Sequence, residues 1–144
     1  MKDNTARLDH VVLWVNDPLA AVEFYEKTLG FTPVRADAYA EGKAPFPSVR
    51  LNDETIFDLM AREKAPRMAM VPEAAASSGH PVNHICIALT AVGFDALHAR
   101  LEEHGVPMSE ISHDAFGALG NAQRSFYFRD PDGNIFEGRH YDTA

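Results

Sequence analysis

The chain has 144 residues and a formal net charge of −8, and 46% of its residues are hydrophobic while 24% are charged. Its size and composition indicate one globular domain with a real core, and no basic stripe is present that could neutralise nucleic-acid phosphates. The single cysteine, Cys86, excludes an internal disulfide and favours a reducing compartment. The polar start and the lack of a long apolar run predict a soluble cytoplasmic protein that does not enter membranes.

The first half of the chain predicts one strand, one helix and three further strands. Residues 8–15 are rich in β-branched and aromatic side chains and are too few for a typical helix, which indicates a strand. Asp17 and Pro18 are a helix start, and Gly30 ends that helix. Strands are predicted at 31–35, 49–51 and 55–60, with a loop over 37–47 and a tight turn at 52–54.

After a predicted linker at 63–81, which is rich in Ala, Ser, Gly and charged residues, the same order returns. The predicted elements are strands at 82–89, 106–111, 125–128 and 135–141, a helix that ends at Gly105, and a turn at 130–133. Two βαβββ modules, about 8–62 and about 82–141, therefore predict a single α+β domain over residues 1–144. The two modules are expected to form a curved mixed sheet around a cavity.

Two histidines and two carboxylates occupy equivalent places in the two modules. His10 and His84 lie in apolar runs that repeat one another, and Asp58 and Glu137 lie in a second pair of similar runs. Because side chains alternate along a strand, all four are predicted on the face opposite the helices. Burying these groups together is costly unless a cation compensates the negative charge. The pattern therefore predicts a divalent-metal site.

Longer motifs give the chain a family resemblance. Residues 24–31 read FYEKTLGF, and residues 126–137 read FYFRDPDGNIFE. With the two strand histidines, these motifs resemble the vicinal oxygen chelate superfamily, which contains glyoxalases, extradiol dioxygenases, fosfomycin-resistance thiol transferases and bleomycin-binding proteins. The resemblance extends over about residues 8–141, and it implies the glyoxalase/bleomycin resistance/dioxygenase fold.

The resemblance also implies the ligands and the assembly. In the family, the positions of His10, His84 and Glu137 hold a divalent metal, and the position of Asp58 carries a fourth carboxylate ligand in glyoxalases. One ion per site is expected, and Fe, Mn, Co, Ni and Zn all suit two nitrogen and two oxygen donors. A homodimer is implied, with a site in each chain or sites shared between chains. Further candidates for lining a substrate pocket are Trp14, Arg50, Cys86 and Tyr127.

Three activities stay open. The first is a metal-dependent lyase or isomerase on a small oxygenated carbonyl substrate, in which the metal stabilises an enediolate and Glu137 or Asp58 shuttles a proton. The second is an Fe(II) extradiol-type dioxygenase that uses His10, His84 and Glu137 alone. The third is a metal-free antibiotic-binding resistance protein, which is disfavoured because such relatives lack the metal residues. For a fosfomycin transferase, the lysine expected within 112–124 is missing.

Two side predictions concern individual side chains. Instead of binding a metal, Asp58 could be an edge aspartate that is solvated or paired with Arg50. His140 should face the helix side of its strand, opposite Glu137, and is therefore excluded from the site.

Overall fold

The structure is a computed structural model, and it describes residues 8, 10–64, 84–117 and 119–143. The described residues form a mixed α+β fold with a four-stranded and a three-stranded sheet, which confirms the predicted class. The chain divides into an N-terminal unit, residues 1–80, and a C-terminal unit, residues 81–144. In the described ranges, every helix is too short or too polar to cross a membrane.

The N-terminal unit is a four-stranded sheet with a helix between its first two strands. Its elements are β1 His10–Val15, α1 Pro18–Lys27, β2 Thr32–Val34, α2 Ala36–Ala40, β3 Ser48–Arg50 and β4 Ile56–Ala61. The strand order is β1-β4-β3-β2, in which β1 and β4 are parallel and the other neighbours are antiparallel. The predicted start of α1 is confirmed, because the Asp17 carboxylate accepts hydrogen bonds from two backbone N–H groups of the first turn.

The C-terminal unit repeats the parallel pairing of the first and last strands. Its elements are β5 Ile85–Leu89, α3 Ala91–Glu103, β6 Phe116–Gly117, β7 Gly120–Asn121, β8 Arg124–Arg129 and β9 Ile135–His140. The main sheet has the order β5-β9-β8, with β5 parallel to β9, and β6 and β7 form a separate short pair. The predicted turn at 130–133 is confirmed, since the Asp130 carboxylate accepts from the backbone N–H groups of Asp132 and Asn134.

Two predicted segments are wrong. Residues 37–40 were expected in a loop but belong to α2, because their Ala-rich sequence favours a helix and the Gly and Pro residues all come later. Residues 106–111 were expected as a strand but contribute an isolated bridge between Met108 and Phe128. Pro107 lacks a backbone N–H, which weakens strand pairing there. Of the predicted linker, residues 65–81 lie outside the described residues.

The start of α3 is held by two side-chain acceptors. Thr90 Oγ1 accepts a hydrogen bond from Gly93 N at 3.0 Å, and Asp142 Oδ2 accepts one from Ala91 N at 3.0 Å. The hydrogen bond from the Ala91 backbone lowers the pKa of Asp142 below its ordinary value of 3.8. The carboxylate that follows β9 therefore stabilises the N-terminus of α3 in its charged form.

We expect Asp142→Asn to lower the melting temperature at neutral pH, because Asn can accept the same hydrogen bond but carries no charge. Since the folded pKa of Asp142 is below the unfolded value, its contribution is complete above the unfolded pKa and is lost as the pH falls through the folded pKa. Thermal unfolding followed by circular dichroism from about pH 7 to about pH 2 should show the gap between wild type and variant closing. A gap that is the same at both ends of this range would contradict the assignment.

Candidate metal centre

The two faces of β1 differ as predicted from alternation. Leu13 and Val15 are buried, whereas His10 and Val12 are exposed and Trp14 is half-buried. A strand with one aliphatic face packs that face into the core and leaves the other available for ligands. His10 therefore lies on the non-core face of the N-terminal sheet.

His10 lies beside Asp58 because of the parallel register of β1 and β4. Val12 is opposite Asp58 in this register, and His10 Nε2 is 4.0 Å from Asp58 Oδ2. On the other side of Asp58, Ser48 of β3 is its direct partner and donates from Oγ to Asp58 Oδ1 at 2.6 Å. Asp58 is only 7% exposed. Its two oxygens thus have different neighbours, a hydroxyl for Oδ1 and an imidazole for Oδ2.

The alternative partner considered for Asp58, Arg50, makes other contacts. The Arg50 guanidinium donates from Nη1 to the carbonyl oxygens of Asn52 and Asp53 at 3.2 and 3.4 Å, within the turn that follows β3. Asp58 is buried and bonded to Ser48 rather than solvated. Arg50 itself is exposed, and its role in a substrate pocket stays a prediction.

The C-terminal unit holds a second pair, His84 and Glu137, built in the same way. Cys86 of β5 is opposite Glu137 of β9, and His84 Nε2 is 3.5 Å from Glu137 Oε1. Tyr127 of β8 is the other direct partner of Glu137, and its ring meets the His84 ring edge-on with centroids 5.4 Å apart. Glu137 is 3% exposed. Cys86 thus takes the place of Val12, and Tyr127 that of Ser48.

The geometry of both pairs can be compared with that of metal ligands. In a tetrahedral site with bonds near 2.1 Å, two donor atoms are about 3.4 Å apart. The distance of 3.5 Å between His84 and Glu137 agrees with this, and the 4.0 Å between His10 and Asp58 is wider. Within the described ranges no group of three or more His, Cys, Asp or Glu side chains could hold a metal. Each unit by itself therefore presents two donors, one nitrogen and one oxygen.

Glu137 also has a charged partner that the sequence analysis missed. Arg139 lies two residues further along β9 and is 4% exposed. Its Nε donates to Glu137 Oε2 at 3.0 Å, and its Nη2 makes an ion pair with the same oxygen. Burial by itself lowers the pKa of Arg139, but hydrogen bonds to Glu137 and Tyr141 outweigh burial and raise it. The sequence contained one signal for this contact: Glu137 and Arg139 are two residues apart in a strand, and such residues lie on the same face.

The negative charge of Glu137 acts on two neighbours that were predicted to line a pocket. Burial, and then the nearby Glu137 carboxylate, raise the pKa of the Cys86 thiol. The same two causes, in the same order, raise the pKa of the Tyr127 phenol. Both groups therefore keep their protons at neutral pH and can donate hydrogen bonds.

His140 faces the helix side of β9, as predicted. Its ring packs against Phe94 of α3 with centroids 4.9 Å apart, and its Nε2 accepts from Arg124 Nε at 2.8 Å. Arg124 also makes an ion pair with Asp95 at 2.9 Å. These contacts anchor α3 to the sheet and leave the opposite face of β9 to Glu137 and Arg139.

The family model for the glyoxalase/bleomycin resistance protein/dioxygenase superfamily matches residues 7–137. Virulence protein STM3117 of Salmonella typhimurium is 27% identical over 135 residues, which are 94% of this chain and 84% of that protein. The crystal structure of that protein matches with a TM-score of 0.70, covering 95% of this chain and 98% of the other.

Two further solved structures share the fold. An integron cassette protein from the mobile metagenome of V. cholerae is 28% identical, with a TM-score of 0.71 over 99% of this chain and 100% of the other. Lactoylglutathione lyase from Agrobacterium tumefaciens has 20% identity and a TM-score of 0.65, with 96% of each chain covered. At that identity the lyase supports the fold alone.

Proposed function

We propose a metal-dependent activity from one premise: the chain belongs to the glyoxalase/bleomycin resistance protein/dioxygenase superfamily. In this proposal His10, Asp58, His84 and Glu137 bind a divalent cation, and the protein is a glyoxalase-like lyase or isomerase that acts on a small oxygenated carbonyl compound. The observation that carries it is the repeated register in which an imidazole nitrogen lies 4.0 or 3.5 Å from a buried carboxylate oxygen.

The donor atoms suit such an ion. Imidazole nitrogen and carboxylate oxygen are accepted by Mn, Fe, Co, Ni and Zn in their divalent states, and so the residues fit the group that the family implies. A cation bound there would polarise a carbonyl oxygen as a Lewis acid. The protein's own side chains then have two tasks, which are to hold the substrate oxygens and to move a proton.

Proton transfer is assigned to the two carboxylates. Asp58 Oδ2 and Glu137 Oε1 are the oxygens that lie near the histidines, while the other oxygen of each carboxylate is held by Ser48 or by Arg139. A carboxylate fixed through one oxygen can use its other oxygen, while that oxygen is not bound to the cation, to take a proton from the carbon next to a carbonyl and return it to the carbonyl carbon. The hydroxyl of Tyr127, which stays protonated, can donate to a substrate oxygen.

The position of Asp58 favours this activity over a dioxygenase. An extradiol-type site needs two histidines and one carboxylate, so a second buried carboxylate on the histidine side would have no task there. Asp58 is such a carboxylate. The dioxygenase stays the second candidate, and a metal-free antibiotic-binding protein is disfavoured because both histidine–carboxylate pairs are present.

Elemental analysis of protein purified without added metal tests cation binding. We expect about one divalent ion per chain in the wild type and almost none in His84→Ala, because that change removes one of the four proposed donors. His104→Ala is the matched control, since His104 lies exposed at the end of α3 and should leave the metal content unchanged. A chelator should also lower the melting temperature of the wild type by mass action. Equal metal content in wild type and His84→Ala would contradict the proposal.

Solvent exchange separates the candidate activities. Incubation of the metal-loaded protein with small α-hydroxycarbonyl compounds in deuterated water should introduce deuterium next to the carbonyl, as followed by NMR, and Glu137→Gln should abolish it. After anaerobic iron loading, oxygen uptake with catechols but no deuterium incorporation would instead support the dioxygenase.

A further inference from the structure

We propose that Arg139 is a fixed counter-charge to Glu137, which restricts metal contact to Oε1 of that carboxylate and lowers the affinity for divalent cations. This inference rests on the proposed function, because it concerns a carboxylate that the function uses as a ligand. Arg139 acts through Glu137 and is therefore a positioning residue.

The guanidinium of Arg139 makes hydrogen bonds through all three of its nitrogens. Its Nε and Nη2 both donate to Glu137 Oε2, and its Nη1 donates to the Tyr141 hydroxyl at 3.0 Å and to the Ala115 carbonyl at 3.3 Å. The Tyr141 ring lies 5.6 Å from the guanidinium carbon. With three nitrogens engaged and only 4% of the residue exposed, Arg139 has no room to swing away from Glu137.

These contacts divide the two oxygens of the carboxylate. Both Arg139 donors reach Oε2, whereas Oε1 is the oxygen that lies 3.5 Å from His84 Nε2. A cation that binds through the histidine therefore meets Oε1 alone. Bidentate binding by Glu137 would require breaking a buried, charge-assisted contact.

The N-terminal unit supplies an internal comparison. Asp58 and Glu137 have matched strand partners, Ser48 and Tyr127, but the residue two positions later is Met60 in one unit and Arg139 in the other. Asp58 is thus held by a neutral hydroxyl, at 2.6 Å, while Glu137 is held by a full positive charge. The N-terminal unit holds Asp58 without a cationic side chain at this position, so the positive charge beside the carboxylate is specific to the C-terminal unit.

The added charge has a definite effect on cation binding. A guanidinium on one oxygen of a carboxylate repels a divalent ion on the other oxygen, and burial of Arg139 limits the screening by salt. Removing the charge while keeping an apolar stem of similar length should therefore tighten cation binding by about tenfold. Because the repulsion depends on the charge, Arg139→Lys, which keeps the charge but not all the hydrogen bonds, should bind with an affinity within about threefold of the wild type.

Titration of the metal-free 144-residue chain with Mn²⁺, with free Mn²⁺ measured by electron paramagnetic resonance, gives the dissociation constant directly. We compare wild type, Arg139→Met and Arg139→Lys. The matched control is Lys27→Met, which removes the positive member of the exposed Lys27–Glu23 pair and gives the same net charge as Arg139→Met. The control should bind like the wild type.

The outcomes are distinct. Absence of Mn²⁺ binding to the wild type would refute the proposed function and this inference with it. Binding to the wild type without tighter binding to Arg139→Met, or with equal tightening in Lys27→Met, would overturn the inference and leave the function standing. Should Arg139→Met fail to fold, Arg139→Gln decides, because Gln is neutral but can still donate to Glu137: tighter binding than in the wild type supports the counter-charge, and an unchanged or weaker affinity overturns it.

Discussion

Arg139→Met is expected to lower the free energy of unfolding of the metal-free protein by about 3–5 kcal/mol. The Glu137 and Arg139 side chains are only 4% and 5% exposed, so truncating the guanidinium leaves a buried carboxylate without its charged partner. Removing one member of a buried pair costs far more than the pair contributes relative to apolar residues of similar volume. Urea unfolding of protein stripped of metal measures the change directly.

A double variant distinguishes the effect of the buried charges on stability from the effect of side-chain volume. Glu137→Leu combined with Arg139→Met should recover stability to within about 1–2 kcal/mol of the wild type, because neither charge of this pair is then buried without its partner. Lys27→Met, which breaks an exposed pair, should change stability only slightly. A single Arg139→Met variant as stable as the wild type would show that Glu137 is not confined as described.

Phe57→Ala should lower the free energy of unfolding by about 3–5 kcal/mol, because it removes a fully buried ring. Phe57 is 0% exposed and its ring meets those of Tyr25 and Phe31 edge-on, with centroids 6.0 and 6.1 Å away. The ring therefore joins α1 to β4, and the neighbouring residue, Asp58, points to the opposite face. Below the unfolding transition, the variant should still bind the metal.

Urea unfolding again gives the magnitude for Phe57→Ala, and metal analysis of the folded variant tests the separation of core from site. Val92→Ala is the control, since Val92 is an exposed hydrophobic residue and its truncation should change stability by no more than about 0.5 kcal/mol. Loss of metal from folded Phe57→Ala would mean that the two faces of β4 are not independent.

Local pattern was sufficient for much of the fold. The start of α1 followed from Asp17 and Pro18, since capping involves residues adjacent in the chain. The faces of β1 followed from alternation, because successive side chains of a strand point to opposite sides whatever their partners are. Predictions for short segments with a weak pattern were wrong, as at 37–40 and 106–111, because there the choice between loop, helix and strand depends on small differences in propensity.

Buried charge alone predicted a cation beside Glu137, yet Arg139 already supplies a positive charge there. In the N-terminal unit, the Ser48 hydroxyl supports Asp58 without neutralising it. A metal ion is therefore less necessary to offset the cost of burying the charge of Glu137 than that of Asp58. Metal binding through Glu137 stays a proposal that rests on its oxygen near His84.

The α+β class and the family followed from the amino-acid pattern, because strand and helix periodicity and the motifs depend on spacing along the chain. Only the tertiary structure decided which side chains hold the two carboxylates. Ser48 meets Asp58 through the register of two antiparallel strands, and that register is set by pairing between residues distant in sequence. Arg139 shares a face with Glu137 from spacing alone, but its turn toward Oε2 depends on contacts with Ala115 and Tyr141. Which polar neighbour bonds to each carboxylate depends on distances between side chains, and these distances are fixed only when the chain is folded.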